Sequence, residues 1–261
     1  MNILLLIVIG FMAGIAAGMF GIGGGLIIVP ALMLLAGFSQ VQANGTSLAV
    51  LLLPVGVFAV WAYYRSQYIN IKTALCIALG LTLGTLGGAQ FALILPSLLL
   101  KQIYGVFLFA MGWRFADVLN LWREIVHKQP TQSENPLPFS HPSLPLYVTL
   151  PLGLLAGMAS GLFGIGGGAV IVPILVGFCG YDQKSAIGTS LGALLLPVGL
   201  PGVLLYAKAG QLALMTALPL ALGVLMGAVF GARITISLPP ITVKRIYGFF
   251  LIVLAVKFIF F

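Results

Sequence analysis

The sequence predicts an all-α, polytopic membrane protein made of two inverted repeats, each a glycine-hinged broken helical hairpin followed by three transmembrane helices. Three observations carry this expectation. Of 261 residues, 61% are hydrophobic and only 6% charged, where a soluble domain carries roughly a quarter charged residues. Apolar runs longer than the ~18 residues that cross a bilayer recur along the chain. Motifs of the first half also return in the second at one fixed spacing.

The composition excludes several classes of function. Four Asp or Glu and two His are too few to furnish an aqueous active site as well as a surface, so neither an enzyme nor a cofactor site is expected. The carboxylates Asp117, Glu124, Glu134 and Asp182 all fall in or beside loops, leaving none at mid-membrane for a proton relay or a cation. Cys76 and Cys179 sit singly in apolar runs and suggest neither a disulfide framework nor a metal cluster. The spans hold no clustered ligands for a metal-ion permease. A net charge of +8 in a soluble domain would suggest nucleic acid. Here no solvated patch interleaves bases with aromatics, and the charge is read as a topology signal.

The elements follow in order. Met1-Asn2 precedes the apolar run from Ile3 without a basic n-region, so the first segment is expected to be retained. That segment, about 2–37, is too long for one crossing, since 36 residues would reach about 54 Å against roughly 30 Å of hydrocarbon. It is expected to be two short helices hinged at glycines. Spans near 44–64, 71–95 and 97–120 come next. Residues 121–145 form the one sustained polar stretch, with five prolines and both histidines, His127 and His141, and read as a cytoplasmic linker. The second half then repeats the plan, with a broken segment at 145–180 and spans near 187–207, 211–235 and 241–261. The expected division is a repeat over 1–120, the linker 121–145, and a repeat over 146–261.

The duplication is read residue by residue. Gly18-Met19-Phe20-Gly21-Ile22-Gly23-Gly24-Gly25 returns as Gly161-Leu162-Phe163-Gly164-Ile165-Gly166-Gly167-Gly168, at an offset of 143. Gly45-Thr46-Ser47-Leu48 and Gly188-Thr189-Ser190-Leu191 keep that offset, as do Pro54 and Pro197. Such a register marks a duplicated module.

Charge sets the orientation. A hairpin plus three spans gives an odd number of crossings per half, which inverts the second copy. Nine bases (Arg65, Lys72, Arg114, Arg123, Lys128, Lys184, Arg233, Lys244, Arg245) then share one side against Lys101, Lys208 and Lys257. Parallel halves would split them seven to five. The positive-inside rule favours inversion, with both termini outside.

Two motifs are candidates for chemistry. Consecutive glycines inside a span free backbone groups that lipid cannot satisfy, so the break must be packed in protein or line a cavity. One reading is close helix packing. The other is an anion site, because the helix restarting after each break aims its amides and partial positive charge at the gap. Paired breaks in a duplicated fold favour the second. Asn44-Gly45-Thr46-Ser47 and Ile187-Gly188-Thr189-Ser190 open the next span of each half, either as caps or as donors to an oxyanion, with Asn44 lacking a polar counterpart. Arg233, near a span end, is either a site residue or an interfacial snorkel. Gly10, Gly14, Gly18 and Gly80, Gly84, Gly88 are four apart and repeat in the second half, the spacing of close helix packing. Pro54 and Pro197 are expected to kink their spans. The glycines are not a P-loop, since no Lys-Ser or Lys-Thr follows them.

The duplicated Gly-x-Phe-Gly-Ile-Gly-Gly-Gly with its following Val-Pro (Val29-Pro30, Val172-Pro173) and the later Ala-x-Gly-Thr-Ser resemble the sulfite exporter TauE/SafE family, small bacterial permeases. The similarity spans nearly the whole chain outside the linker. It implies a protein of the bacterial cytoplasmic (inner) membrane that moves small sulfur-containing anions such as sulfite, thiosulfate or organosulfonates, without a cofactor. The residues it carries over are Gly21, Gly23, Gly24, Gly25, Gly164, Gly166, Gly167, Gly168 and the pairs Thr46-Ser47 and Thr189-Ser190. Outward movement of one negative charge down a −100 mV potential is favoured by about 2.3 kcal/mol, so an exporter needs no embedded proton carrier. The alternatives are a non-transporting membrane subunit or assembly partner, or a permease for another solute.

Overall fold

The computed structural model describes residues 3–54, 56–116 and 144–237, with positions 245, 248–249, 251–253, 255 and 256 beyond them. Among these every regular element is a helix. The polar linker, with its histidines, lies outside the described residues except at 144 and 145, as does much of the span expected at 241–261.

The helices are α1 (Ile3–Phe20), α2 (Gly25–Leu35), α3 (Gln40–Leu52), α4 (Val57–Arg65), α5 (Ile71–Ile94) and α6 (Ser97–Ala116). After the linker come α7 (Leu146–Phe163), α8 (Gly168–Gly177), α9 (Gln183–Leu195), α10 (Leu200–Lys208) and α11 (Leu214–Ser237). The duplication therefore survives into structure. The pairs α1/α7, α3/α9, α4/α10 and α5/α11 begin and end 143 residues apart. Among the described residues, four helices (α1, α5, α7, α11) are long and apolar enough to cross a membrane, or six spans if each bent pair α3–α4 and α9–α10 counts as one.

Local chemistry sets the boundaries. The α3 N-terminus is capped by Ser39, whose hydroxyl accepts from the Gln42 amide, and that of α9 by Asp182, which accepts from the Lys184 and Ser185 amides. Both helices thus start well before Thr46 and Thr189. The Gly-Thr-Ser motifs do not cap them; they lie inside. A residue before proline is driven out of the helical region, and Leu53 and Leu196 are extended at ψ 148° and 153°. That ends α3 and α9 ahead of Pro54 and Pro197, and the bent pairs turn by 51° and 50°. The expected kinks are therefore breaks between two helices.

The first segment also differs from expectation. Instead of two short helices, α1 has 18 residues, about 27 Å and close to a full crossing. The second piece, α2, has 11, about 16 Å and half a crossing.

The described residues within Met1–Leu95 and Ser140–Ser237 form one compact unit, and those within Pro96–Phe139 and Leu238–Phe261 a second. In the second, a Cβ at Gly112 of α6 would come 2.9 Å from the Gly248 carbonyl. In the first, helices of the two sequence copies interlock. α1 packs along α11, and α5 along α7. Their glycine ladders allow backbone contact: a Cβ at Gly14 would strike the Val224 carbonyl, and one at Gly227 the Phe11 carbonyl. The same reciprocity holds between Gly84 and Leu154, and between Gly157 and Leu81. These are the packing glycines that the four-residue spacing predicts.

Candidate functional site: two facing helix breaks

The two glycine motifs form matching breaks. Gly21, Gly23 and Gly24 have φ of 68°, 77° and 83°, and Gly164, Gly166 and Gly167 have 69°, 81° and 84°. Other L-residues reach this region at a cost of roughly 1–2 kcal/mol each, so six such positions require glycine. The chain leaves α1 with the Gly21 amide on the Ala17 carbonyl, then restarts at Gly25 with Gly24 as its cap residue. Glycine has no side chain to cap with, and neither α2 nor α8 receives a side-chain cap. Their first-turn amides face the break with the positive end of the helix dipole.

A break also orphans carbonyls at the end of the preceding helix, and here three in each copy are met by side chains. The Tyr63 hydroxyl donates to the Gly18 carbonyl at 3.0 Å, Thr235 to Met19 at 3.1 Å and Ser190 to Gly21 at 2.8 Å. In the second copy, Tyr206 donates to Gly161, the Asn44 side-chain amide to Leu162 and Ser47 to Gly164, all at 2.7 Å. Met19 and Leu162 are equivalent positions. One is served by Thr235 and the other by Asn44. The polar-to-apolar change from Asn44 to Ile187 thus has a structural counterpart: where Ile187 stands, Thr235 supplies the missing donor. The tyrosines and Thr235 were not legible as site residues, although Tyr63 and Tyr206 hold the same repeat position.

The breaks meet one another. A Cβ on Gly25 would strike the Gly164 carbonyl, and one on Gly168 the Gly21 carbonyl. Between the breaks lies a cavity of about 40 Å³, with Gly23 and Gly166 in its lining beside Leu48, Leu51, Leu191 and Leu194. About 10–15 Å³ holds one water centre, so the space suits a few waters or one small solute. Among the described residues, no charged side chain is in the lining.

The structure therefore brings Gly21, Gly23, Gly24, Gly25, Gly164, Gly166, Gly167 and Gly168 together with Asn44, Ser47 and Ser190. Asn44, Thr46, Ser47, Thr189 and Ser190 are fully buried. Thr46 and Thr189 accept the Ala213 and Asn70 amides at 3.2 and 3.1 Å, tying each motif to the residues before α11 and α5. Arg233 is exposed near the end of α11 and is not in the cavity lining.

Comparison with known proteins follows the same lines. The profile of the family described as sulfite exporter TauE/SafE matches residues 6–258. A probable membrane transporter protein of Haemophilus influenzae is 30% identical, covering 98% of this chain and 97% of its own length. One from Bacillus subtilis, YunE, is 26% identical over 100% of this chain and 98% of its own. One from Methanocaldococcus jannaschii is 28% identical over 90% and 87% respectively. No solved structure matches.

Proposed function

Because the chain belongs to the sulfite exporter TauE/SafE family, and is thus an integral membrane transporter and not an enzyme, we propose that it exports small sulfur-containing anions such as sulfite, thiosulfate or organosulfonates across the bacterial inner membrane. The observation that carries this reading is the pair of uncapped helix starts on either side of a central cavity with no charged lining. Backbone amides around Gly23, Gly24 and Gly25, and around Gly166, Gly167 and Gly168, would hold the oxyanion. Leucine walls lower the local dielectric and so strengthen those dipoles.

In this reading Ser47 and Ser190 are positioning residues. Each hydroxyl proton is spent on a carbonyl of the opposite break, at Gly164 or Gly21, which fixes where the amides point. Asn44 does the same through Leu162. Thr46 and Thr189 hold the entries to α11 and α5. Gly21 and Gly164 supply the turn. Arg233 contributes as an exposed positive charge that draws anions toward the protein.

Alternating access follows from rocking one repeat against the other about the facing breaks. The reciprocal pairing of α1 with α11 and α5 with α7 supports a two-fold relation between the copies. The nine-to-three division of bases supports inversion across the membrane. Proteoliposomes loaded with radiolabelled sulfite or thiosulfate test the substrate class. Saturable flux of a sulfur oxyanion is expected, and flux of an amine or a metal ion in its place would overturn the reading.

A further inference from the structure

Three bases from three helices converge at one end of the first compact unit. Arg65 ends α4, Lys72 lies on the first turn of α5, and Lys184 on the first turn of α9. The segment joining α4 to α5 gathers them. Its Asn70 amide donates to Thr189 of α9, and Gly188 leaves room for the Tyr68 carbonyl. Aromatic rings support two of the charges, with the Arg65 guanidinium 4.0 Å from the Trp61 ring centre and the Lys184 ammonium 5.8 Å from that of Tyr68.

The duplication provides an internal comparison. At the positions equivalent to Arg65, Lys72 and Lys184 stand Lys208, Met215 and Val41, and at those of Trp61, Tyr64 and Tyr68 stand Leu204, Ala207 and Gln211. The other copy keeps one of the three bases, Lys208, and none of the three rings. Asp182, the acid beside Lys184, already accepts two α9 amides with one oxygen.

Below this rim, an apolar groove of about 400 Å³ opens between α5 and the bend joining α9 to α10. Leu75, Leu79 and Thr82 form one wall, and Leu196, Pro197 and Pro201 the other. Lys72, Leu75 and Leu79 share one face of α5 by their spacing, so the groove begins one turn from a cation. Leu75 and Leu79 are 50% and 61% exposed, which in a membrane-spanning helix faces hydrocarbon. The Thr82 hydroxyl spends its proton on the Ala78 carbonyl.

We propose that the groove holds one acyl chain of an anionic phospholipid, with the headgroup phosphate on the rim formed by Lys72, Arg65 and Lys184. Trp61, Tyr64 and Tyr68 sit at headgroup depth, where amphipathic rings partition. The long basic side chains reach toward the interface, and the anionic leaflet supplies the complementary charge. The lipid and the solute of the central cavity would occupy separate pockets that share Val198 in their linings.

Native mass spectrometry of the full-length protein in mild detergent tests it. Phosphatidylglycerol and phosphatidylcholine of identical acyl chains are titrated in parallel. Retention of phosphatidylglycerol over phosphatidylcholine by roughly fivefold or more is expected, the scale that a single basic contact supplies. Lys72→Gln should reduce this preference, and Arg65→Gln with Lys72→Gln and Lys184→Gln should bring it to parity. Lys208→Gln should leave it unchanged. Leu79→Trp, which fills the groove from an exposed position, should lower binding of both lipids. Equal retention by the native protein, or a preference that survives both Lys72→Gln and the triple variant, overturns the proposal. Competition by glycerophosphoglycerol at the lipid's own concentration would overturn the acyl-chain part.

Discussion

Ser47 donates its hydroxyl to the carbonyl of Gly164 at 2.7 Å, across 117 residues of sequence. Ser190 returns the equivalent bond to Gly21 at 2.8 Å, so each repeat closes the other's broken helix. Removing either donor strands a buried carbonyl, at about 1–3 kcal/mol. Ser47→Ala and Ser190→Ala should each lower the unfolding temperature of the protein in nanodiscs, and the double variant further. Unchanged melting of both single variants would show that the carbonyls find other donors.

The two copies serve one orphan carbonyl by different means, Thr235 at Met19 and Asn44 at Leu162. Asn44→Ile, which writes the second copy's residue into the first, should destabilise the fold by about 1–3 kcal/mol. Ala92 is the position equivalent to Thr235. Adding Ala92→Thr to Asn44→Ile should recover much of the loss, because it transplants the other solution whole. Denaturation of the single and double variants side by side checks this.

Gly84 and Gly87 are three residues apart on α5 and should behave oppositely. A Cβ at Gly84 would strike the Leu154 carbonyl and approach Gly157, all backbone, whereas one at Gly87 meets nothing within 4 Å. Gly84→Ala should therefore abolish accumulation of folded protein in the membrane. Gly87→Ala should be neutral or stabilising by up to about 1 kcal/mol, the helix-propensity gain. Expression and melting of the two variants decide the matter.

Gly23 combines a φ of 77° with a position on the cavity. A Cβ there has ordinary contacts, at 3.5 Å from the Ile165 carbonyl and the Leu194 side chain. Gly23→Ala should then cost about 1–2 kcal/mol of backbone strain while sharply reducing sulfur-anion flux. Measuring flux and melting on one preparation separates the effects. Retained flux would remove Gly23 from the transport path, and impaired assembly with a partner in its place would favour the non-transporting role.

Thr85 holds the second bend. Its hydroxyl lies 2.9 Å from the Val198 carbonyl, just past Pro197, and 2.9 Å from that of Thr82. Val198 lines both the central cavity and the outer groove. Thr85→Val keeps the shape and loses the donor, so amides over 196–203 should exchange faster with deuterium, while Thr85→Ser keeps the native rate. The equivalent of Thr85 in the second copy is Ala228, which has no hydroxyl to offer.

Much of this architecture is legible in the order of the residues. Duplication at a constant offset transfers element boundaries from one half to the other, and glycine runs inside apolar spans announce the breaks. The Gly-Thr-Ser motifs mislead because a hydroxyl near a span's expected start reads as a cap. Ser39 and Asp182 cap these helices instead. The motif hydroxyls answer to carbonyls and amides from distant parts of the chain, and no local pattern encodes such partners. Tyr63 and Tyr206 escape notice for the same reason, since a tyrosine near a span end ordinarily marks an interface.

The interlocking of α1 with α11 has a consequence for biogenesis. α1 is synthesised long before α11, the helix whose surface its glycines are shaped to meet. Until α11 is made, α1 stands with an unfilled glycine seam and a break whose Gly21 carbonyl still lacks Ser190. Assembly is bound to be late and non-local, the regime in which folding slows and partly built species persist. Severing the chain between the copies should yield two fragments that are each incomplete alone and become competent only when made together, as subunits of an ancestral dimer would have been.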